Sequence, residues 1–153
     1  MVASPNPRSI VELPTIRLLV EHGIIVVCAG GGGVPVVVDS TGARHGVEAV
    51  VDKDLASALL ARHLDADLLL LLSDVPAVEL DWGTPRARPL AAATPKGIAH
   101  HTFAAGSMAP KIEAAAAFAR STRKRAVIGS LADAARLVEG TAGTSIEGGK
   151  AGE

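Results

Sequence analysis

The chain has 153 residues, 48% of them hydrophobic and 20% charged, with a formal net charge of −1. That length and apolar content fit one domain with a real core and exclude a chain that is disordered throughout. The near-zero charge and an aromatic content of 2% exclude the basic surface and the stacking platforms of a nucleic-acid binder, so no such partner is expected.

No apolar stretch approaches the roughly 18 residues of a membrane span, and the N-terminus lacks the pattern of a signal peptide. No membrane partner is expected. The single cysteine, Cys28, cannot form an internal disulfide and is read as a small buried hydrophobe. This fits a cytoplasmic protein.

In chain order, Ser4-Pro-Asn-Pro7 reads as a turn, and a helix is predicted over 9–22 with Gly23 as its stop. Residues 24–28, Ile-Ile-Val-Val-Cys, form an apolar, largely β-branched run and predict a buried parallel strand. Gly30, Gly31, Gly32 and Gly33 follow directly. They read either as a flexible turn or as a loop allowing close backbone approach to a ligand at a strand's C-terminal end. The dinucleotide fingerprint is absent, because its third glycine falls on Pro35 or Val36. Residues 36–38 and 44–51 predict a hairpin around Asp39-Ser-Thr-Gly42.

Asp52-Lys53-Asp54 then opens a helix expected over 55–64. Either aspartate could cap its first turn. A lysine at the positive end of a helix is electrostatically misplaced by roughly 0.3–1 kcal/mol, yet a helix start carrying an ammonium also suits a phosphate. Lys53 therefore reads as either a phosphate contact or a solvated cation paired with its neighbours.

The five leucines at 68–72 lie in a predicted buried strand over 66–73, with Ser73-Asp74 at the end where ligands bind in open α/β sheets. Residues 81–97 contain five glycines and prolines and predict an irregular surface segment. Gly106-Ser-Met-Ala-Pro-Lys111 opens a helix over 109–121, with Ser107 as N-cap and Lys111 repeating the Lys53 pattern. A strand at 126–128, a helix at 131–138 and a glycine turn with a last short strand by 146 complete the chain. Residues 147–153 are expected to be disordered.

Alternating strands and helices define an α/β fold with a mostly parallel sheet. The five histidines show no metal-ligand spacing, so no metal site is assigned to protein side chains. A Walker A motif is also missing, since Thr144 stands five places before Gly149-Lys150.

Ser4-Pro-Asn-Pro7, Cys28-Ala-Gly-Gly-Gly-Gly-Val-Pro35, Gly46-Val-Glu-Ala-Val-Val-Asp-Lys-Asp54, Ser73-Asp-Val-Pro-Ala-Val78, Gly106-Ser-Met-Ala-Pro-Lys111 and Gly143-Thr-Ser-Ile146 occur in that order. The set closely resembles the carbamate kinases of the amino acid kinase superfamily, over nearly all of 3–146. The Asp-Lys-Asp and Gly-Ser-Met-x-Pro-Lys motifs are specific as a pair, and they argue against relatives acting on acetylglutamate or nucleoside monophosphates.

The resemblance implies an αβα sandwich and phosphoryl transfer between ATP and carbamate, run physiologically from carbamoyl phosphate and ADP with nucleotide-bound Mg²⁺. It implies that Lys53 contacts the transferred phosphoryl group and Asp54 orients the catalytic lysines. Lys111 would reach the nucleotide phosphates. Asp74, Val75 and Val78 would border the nucleoside, with Ser107 and Met108 lining the same pocket. The amides of Gly30, Gly31, Gly32 and Gly33 would face carbamate or the phosphoryl group.

Family members are about twice as long. The resemblance therefore implies that residues 1–146 are the C-terminal, nucleotide-binding half of a domain truncated at its N-terminus. An N-terminal half chain and a second copy in a homodimer are the implied partners. The competing reading is a non-catalytic nucleotide-binding remnant or a subunit of a split kinase. Two smaller departures are Pro76 and Glu79, where relatives usually carry Asp and an aromatic. A third is Arg123-Lys124, where a glycine usually ends the helix.

Overall fold

A computed structural model of the chain describes residues 2–101, 103 and 108–148. It divides into two compact units, Met1–Leu64 and Asp65–Glu153.

The first unit contains α1 (Leu13–Glu21), the strands β1 (Val36–Val38) and β2 (Arg44–Gly46), and α2 (Lys53–His63). The helix predicted from residue 9 begins at Leu13 instead, with Pro14 in its first turn. A start at residue 9 would have put Pro14 inside the helix, where its ring meets the carbonyl four residues back. The Arg17 guanidinium donates to the carbonyl of His63, tying α1 to the end of α2. β1 and β2 form the expected antiparallel hairpin, with Val37 opposite His45, but β2 stops at Gly46 and does not run on to 51.

Two expectations fail in this unit. Residues 24–28 form no strand, and Ile25 and Val27 are 92% and 97% exposed. An apolar run becomes a buried strand only where neighbours complete its ladder and a layer covers each face. No ladder involves this run among the described residues. Cys28, expected to be buried, is exposed for the same reason.

The second unit is built on a four-stranded sheet in the order β3-β7-β8-β6. These strands are β3 (Leu68–Ser73), β7 (Arg125–Ser130), β8 (Thr144–Ile146) and β6 (Ala92–Ala93). β3 pairs parallel with β7 and β6 parallel with β8, while β7 and β8 run antiparallel. The sheet is therefore mixed and mostly parallel. The leucine run is a strand because β7 supplies its whole ladder, from Leu68 opposite Arg125 to Ser73 opposite Ser130.

Ala126, Val127 and Ile128 are fully buried. Successive strand residues point to opposite faces, so both faces of β7 are covered. α4 (Met108–Thr122) and α5 (Ala134–Glu139) pack against β7 and β3. Ala114, Ala115 and Ala119 are fully buried, and their small side chains let α4 lie close to the sheet. α4 ends one residue beyond its predicted limit, at Thr122. The helix expected over 131–138 is a 3₁₀ turn at Leu131–Asp133 followed by α5. Gly140, at φ +77°, closes α5 in the left-handed conformation favoured for a glycine stop.

Residues 81–97 are more ordered than their glycines and prolines suggest. β4 (Glu79–Leu80) and β5 (Arg88–Pro89) form a short antiparallel hairpin, and β6 and α3 (Pro95–Ile98) follow. Thr94 caps α3 by accepting from the Gly97 amide at 3.0 Å. The prolines sit where no donor is needed, and Leu80, Pro95 and Ile98 are buried. The Glu147 amide donates to the Ala93 carbonyl at 3.2 Å.

Candidate active site

In the first unit, the Asp52 carboxylate caps α2, accepting from the amides of Asp54 at 2.8 Å and Leu55 at 3.2 Å. Of the two aspartates proposed as cap, Asp52 fills the role, because its extended backbone turns its carboxylate onto the free N–H groups. Lys53 becomes the first helical residue and is exposed, whereas Asp54 is buried. The Lys53 Nζ lies 3.8 Å from Asp54 Oδ2. Flanking carboxylates thus offset the unfavourable position of a cation at a helix start.

The glycine loop closes on the residue before this cap. The Gly32 amide donates to the Ala29 carbonyl at 2.8 Å, and Gly32 has φ +131°. A Cβ on Gly32 would lie 1.9 Å from the Val51 carbonyl oxygen, so only glycine fits. Gly30, Gly31 and Gly33 are exposed. The unit therefore brings the glycine loop and Asp52-Lys53-Asp54 together.

In the second unit, Asp74 directly follows β3, where its carboxylate accepts from the Ser73 hydroxyl at 3.0 Å. Asp74 is exposed, Val75 half-buried and Val78 fully buried. Gly129 makes room for this loop, since a Cβ there would come within 3.1 Å of the Pro76 carbonyl oxygen and 2.6 Å of Leu137 Cδ2. α4 leads through Arg123 and Lys124 directly into β7 and packs back on the sheet, so it runs against β3 and β7. Its N-terminus, with Met108 and Lys111, therefore stands at the C-terminal end of β3, on the side of Asp74. Met108 is half-buried and Lys111 is 5% exposed. An ammonium so buried requires polar company. Ser107 lies outside the described residues.

Asp74, Val75, Val78, Met108 and Lys111 thus share one end of one sheet, carried by β3 and α4. Neither Thr144 nor Gly129 is among the site residues expected from the sequence. For Thr144 a signal was present, a hydroxyl between glycine turn and apolar strand in Gly143-Thr-Ser-Ile146.

The amino acid kinase family model matches residues 3–130, and the chain belongs to that family. Within the family, its similarity is to carbamate kinases. The carbamate kinase of Haemophilus influenzae is 51% identical over 146 residues, which cover 95% of this chain and 47% of that protein. The carbamate kinase of Pyrococcus horikoshii is 44% identical, covering 95% and 48%. The solved structure of carbamate kinase from Giardia lamblia bound to AMP-PNP matches with a TM-score of 0.91 at 38% identity, covering 95% of this chain and 52% of that one. The chain spans about half the length of the curated relatives it matches. No helix among the described residues is long and apolar enough to cross a membrane.

Proposed function

We propose that this chain serves a phosphotransferase of the carbamate kinase type, moving a phosphoryl group reversibly between ATP and carbamate. In the ATP-forming direction, the bond between phosphorus and the carbamate oxygen of carbamoyl phosphate breaks. An oxygen of the ADP β-phosphate takes up the phosphoryl group, and carbamate leaves. The observation that carries this reading is the pair of lysines at helix starts, Lys53 on α2 and Lys111 on α4, in a chain 51% identical to a carbamate kinase. Such transfer needs mainly positioning and charge neutralisation.

Lys53 meets the transferred phosphoryl group, and Asp54, 3.8 Å from its ammonium, orients it. The amides of Gly30, Gly31, Gly32 and Gly33 face carbamate or the phosphoryl group. Lys111 neutralises the nucleotide phosphates, while Asp74, Val75, Val78, Ser107 and Met108 border the nucleoside. AMP-PNP in the Giardia relative supports a nucleotide on this chain as well. No group of three His, Cys, Asp or Glu stands ready for a metal among the described residues. A magnesium ion would fit as a companion of the nucleotide, held largely by phosphate oxygens and water.

The test is coupled ATP formation from carbamoyl phosphate and ADP, with calorimetric ADP binding alongside. The 153-residue chain is assayed alone and with the N-terminal half of a carbamate kinase supplied. ATP formation in either format, with Lys111→Ala weakening ADP at least tenfold, is the expected result, since a charge-assisted bond to phosphate contributes roughly 1.5–3 kcal/mol. Tight ADP binding without turnover in both formats favours the non-catalytic reading. No ADP binding overturns the nucleotide assignment.

A further inference from the structure

The β4–β5 hairpin has an irregularity one pair beyond its last assigned residues. Glu79 faces Pro89 and Leu80 faces Arg88, so Val78 and Leu90 are the next pair. The Leu90 amide donates to the Val78 carbonyl at 2.8 Å, as an antiparallel ladder requires. The return bond, from the Val78 amide to the Leu90 carbonyl, is replaced by a side chain. The Thr144 hydroxyl accepts from the Val78 amide at 2.9 Å and donates to the Leu90 carbonyl at 2.5 Å.

That hydroxyl is held from the sheet. Thr144 is fully buried and pairs with Ile128 of β7. The next amide, of Ser145, donates to the Ala91 carbonyl at 2.9 Å. One O–H donor and one lone pair are thus committed to two backbone groups far away in sequence. The loop between β3 and β4 is then fixed at both ends, by the β3–β7 ladder before Asp74 and by Thr144 at Val78.

We infer that Thr144 is a positioning residue for the nucleoside end of the site, setting the loop of Asp74, Val75 and Val78 through its hydroxyl. This rests on the nucleotide assignment proposed above. Only serine can replace threonine in this role. Valine has the same shape but neither donor nor acceptor, and would leave the Val78 amide buried without a partner.

Packing and positioning therefore rank the two substitutions oppositely. A purely packing role makes Thr144→Val the milder change, because it keeps the volume, while Thr144→Ser leaves a methyl-sized hole. A positioning role makes Thr144→Ser the milder one. The experiment is ADP titration calorimetry on the full chain and both variants, with amide hydrogen exchange at Val78. We expect Thr144→Val to weaken ADP binding about tenfold and speed exchange at Val78, and Thr144→Ser to stay within about threefold of the parent.

Equal ADP affinity in the parent and Thr144→Val, or a milder effect of valine than of serine, overturns the inference. Should Thr144→Val fail to fold, Thr144→Ser decides: ADP affinity weakened tenfold or more despite the retained hydroxyl overturns the inference. Saturating ADP is expected to slow exchange of the Val78 amide, and unchanged exchange overturns the inference. A parent chain that binds no ADP overturns the nucleotide assignment, and the inference falls with it.

Discussion

Lys53 and Asp54 are sequence neighbours in the first turn of α2, yet their environments are opposite. The lysine side chain is 55% exposed and the carboxylate 9%, with 3.8 Å between Nζ and Oδ2. Asp52 already accepts from the Asp54 and Leu55 amides, so Asp54 is not needed as their cap. A buried carboxylate beside an exposed ammonium suits an orienting role. If Lys53 meets the transferred phosphoryl group as proposed, Lys53→Ala, assayed with the N-terminal half supplied, is expected to lower turnover by orders of magnitude while leaving ADP affinity nearly unchanged, because such a contact strengthens only as phosphoryl transfers. Near-parental turnover in that variant would return Lys53 to a solvated cation.

Gly32→Ala tests the close approach of the glycine loop to Val51. The added Cβ would meet backbone at 1.9 Å, and the residue already holds φ +131°. Relief requires moving the loop or the Asp52 cap, at a cost of about 1–3 kcal/mol. We expect faster hydrogen exchange at the Asp54 and Leu55 amides and a lower urea midpoint. Gly31→Ala is the control, since nothing lies within 4 Å of its added Cβ. Equal behaviour of the two variants would remove the steric argument.

Arg123 ends α4 with φ +60°, its amide donating to the Ala119 carbonyl at 2.9 Å. A left-handed non-glycine residue costs roughly 1–2 kcal/mol. Its exposed side chain leaves room for replacement. Arg123→Gly is predicted to stabilise the chain by about 1 kcal/mol, read as a higher melting temperature. A fall in melting temperature would show that the arginine side chain contributes more than the strain removes.

The hairpin loop carries a pH dependence on the acid side. Asp39 accepts from the Thr41 hydroxyl at 2.6 Å and lies 2.6 Å from His45 Nε2. The Thr41 and Ala43 amides donate to the same carboxylate at 2.8 and 3.0 Å. Led by the Thr41 hydroxyl and then by His45, these partners lower the Asp39 pKa to about 2. A carboxylate whose pKa falls on folding contributes stability above its unfolded value, near 4, and loses it as pH drops toward 2. Carboxyl-carbon NMR is expected to show a midpoint near 2 for Asp39, and Asp39→Asn should flatten the stability curve between pH 4 and 2. A midpoint near 4 would mean the turn does not hold in solution.

Local chemistry alone was enough for two features. A short carboxylate before an alanine- and leucine-rich run announced the cap of α2, and the leucine run at 68–72 announced β3. Each depends on neighbours within a few residues, so the chain order carries the information. The order of motifs likewise made the family legible. Tertiary structure decided the rest. Residues 24–28 have the composition of a buried strand, but a strand exists only where another backbone completes its ladder, and composition cannot report that. Residues 81–97 have the composition of a loop, yet Ile98 and Leu80 found a core and ordered them. Thr144 lies 66 residues from Val78 and 54 from Leu90, and only folding puts one hydroxyl between their amide and carbonyl.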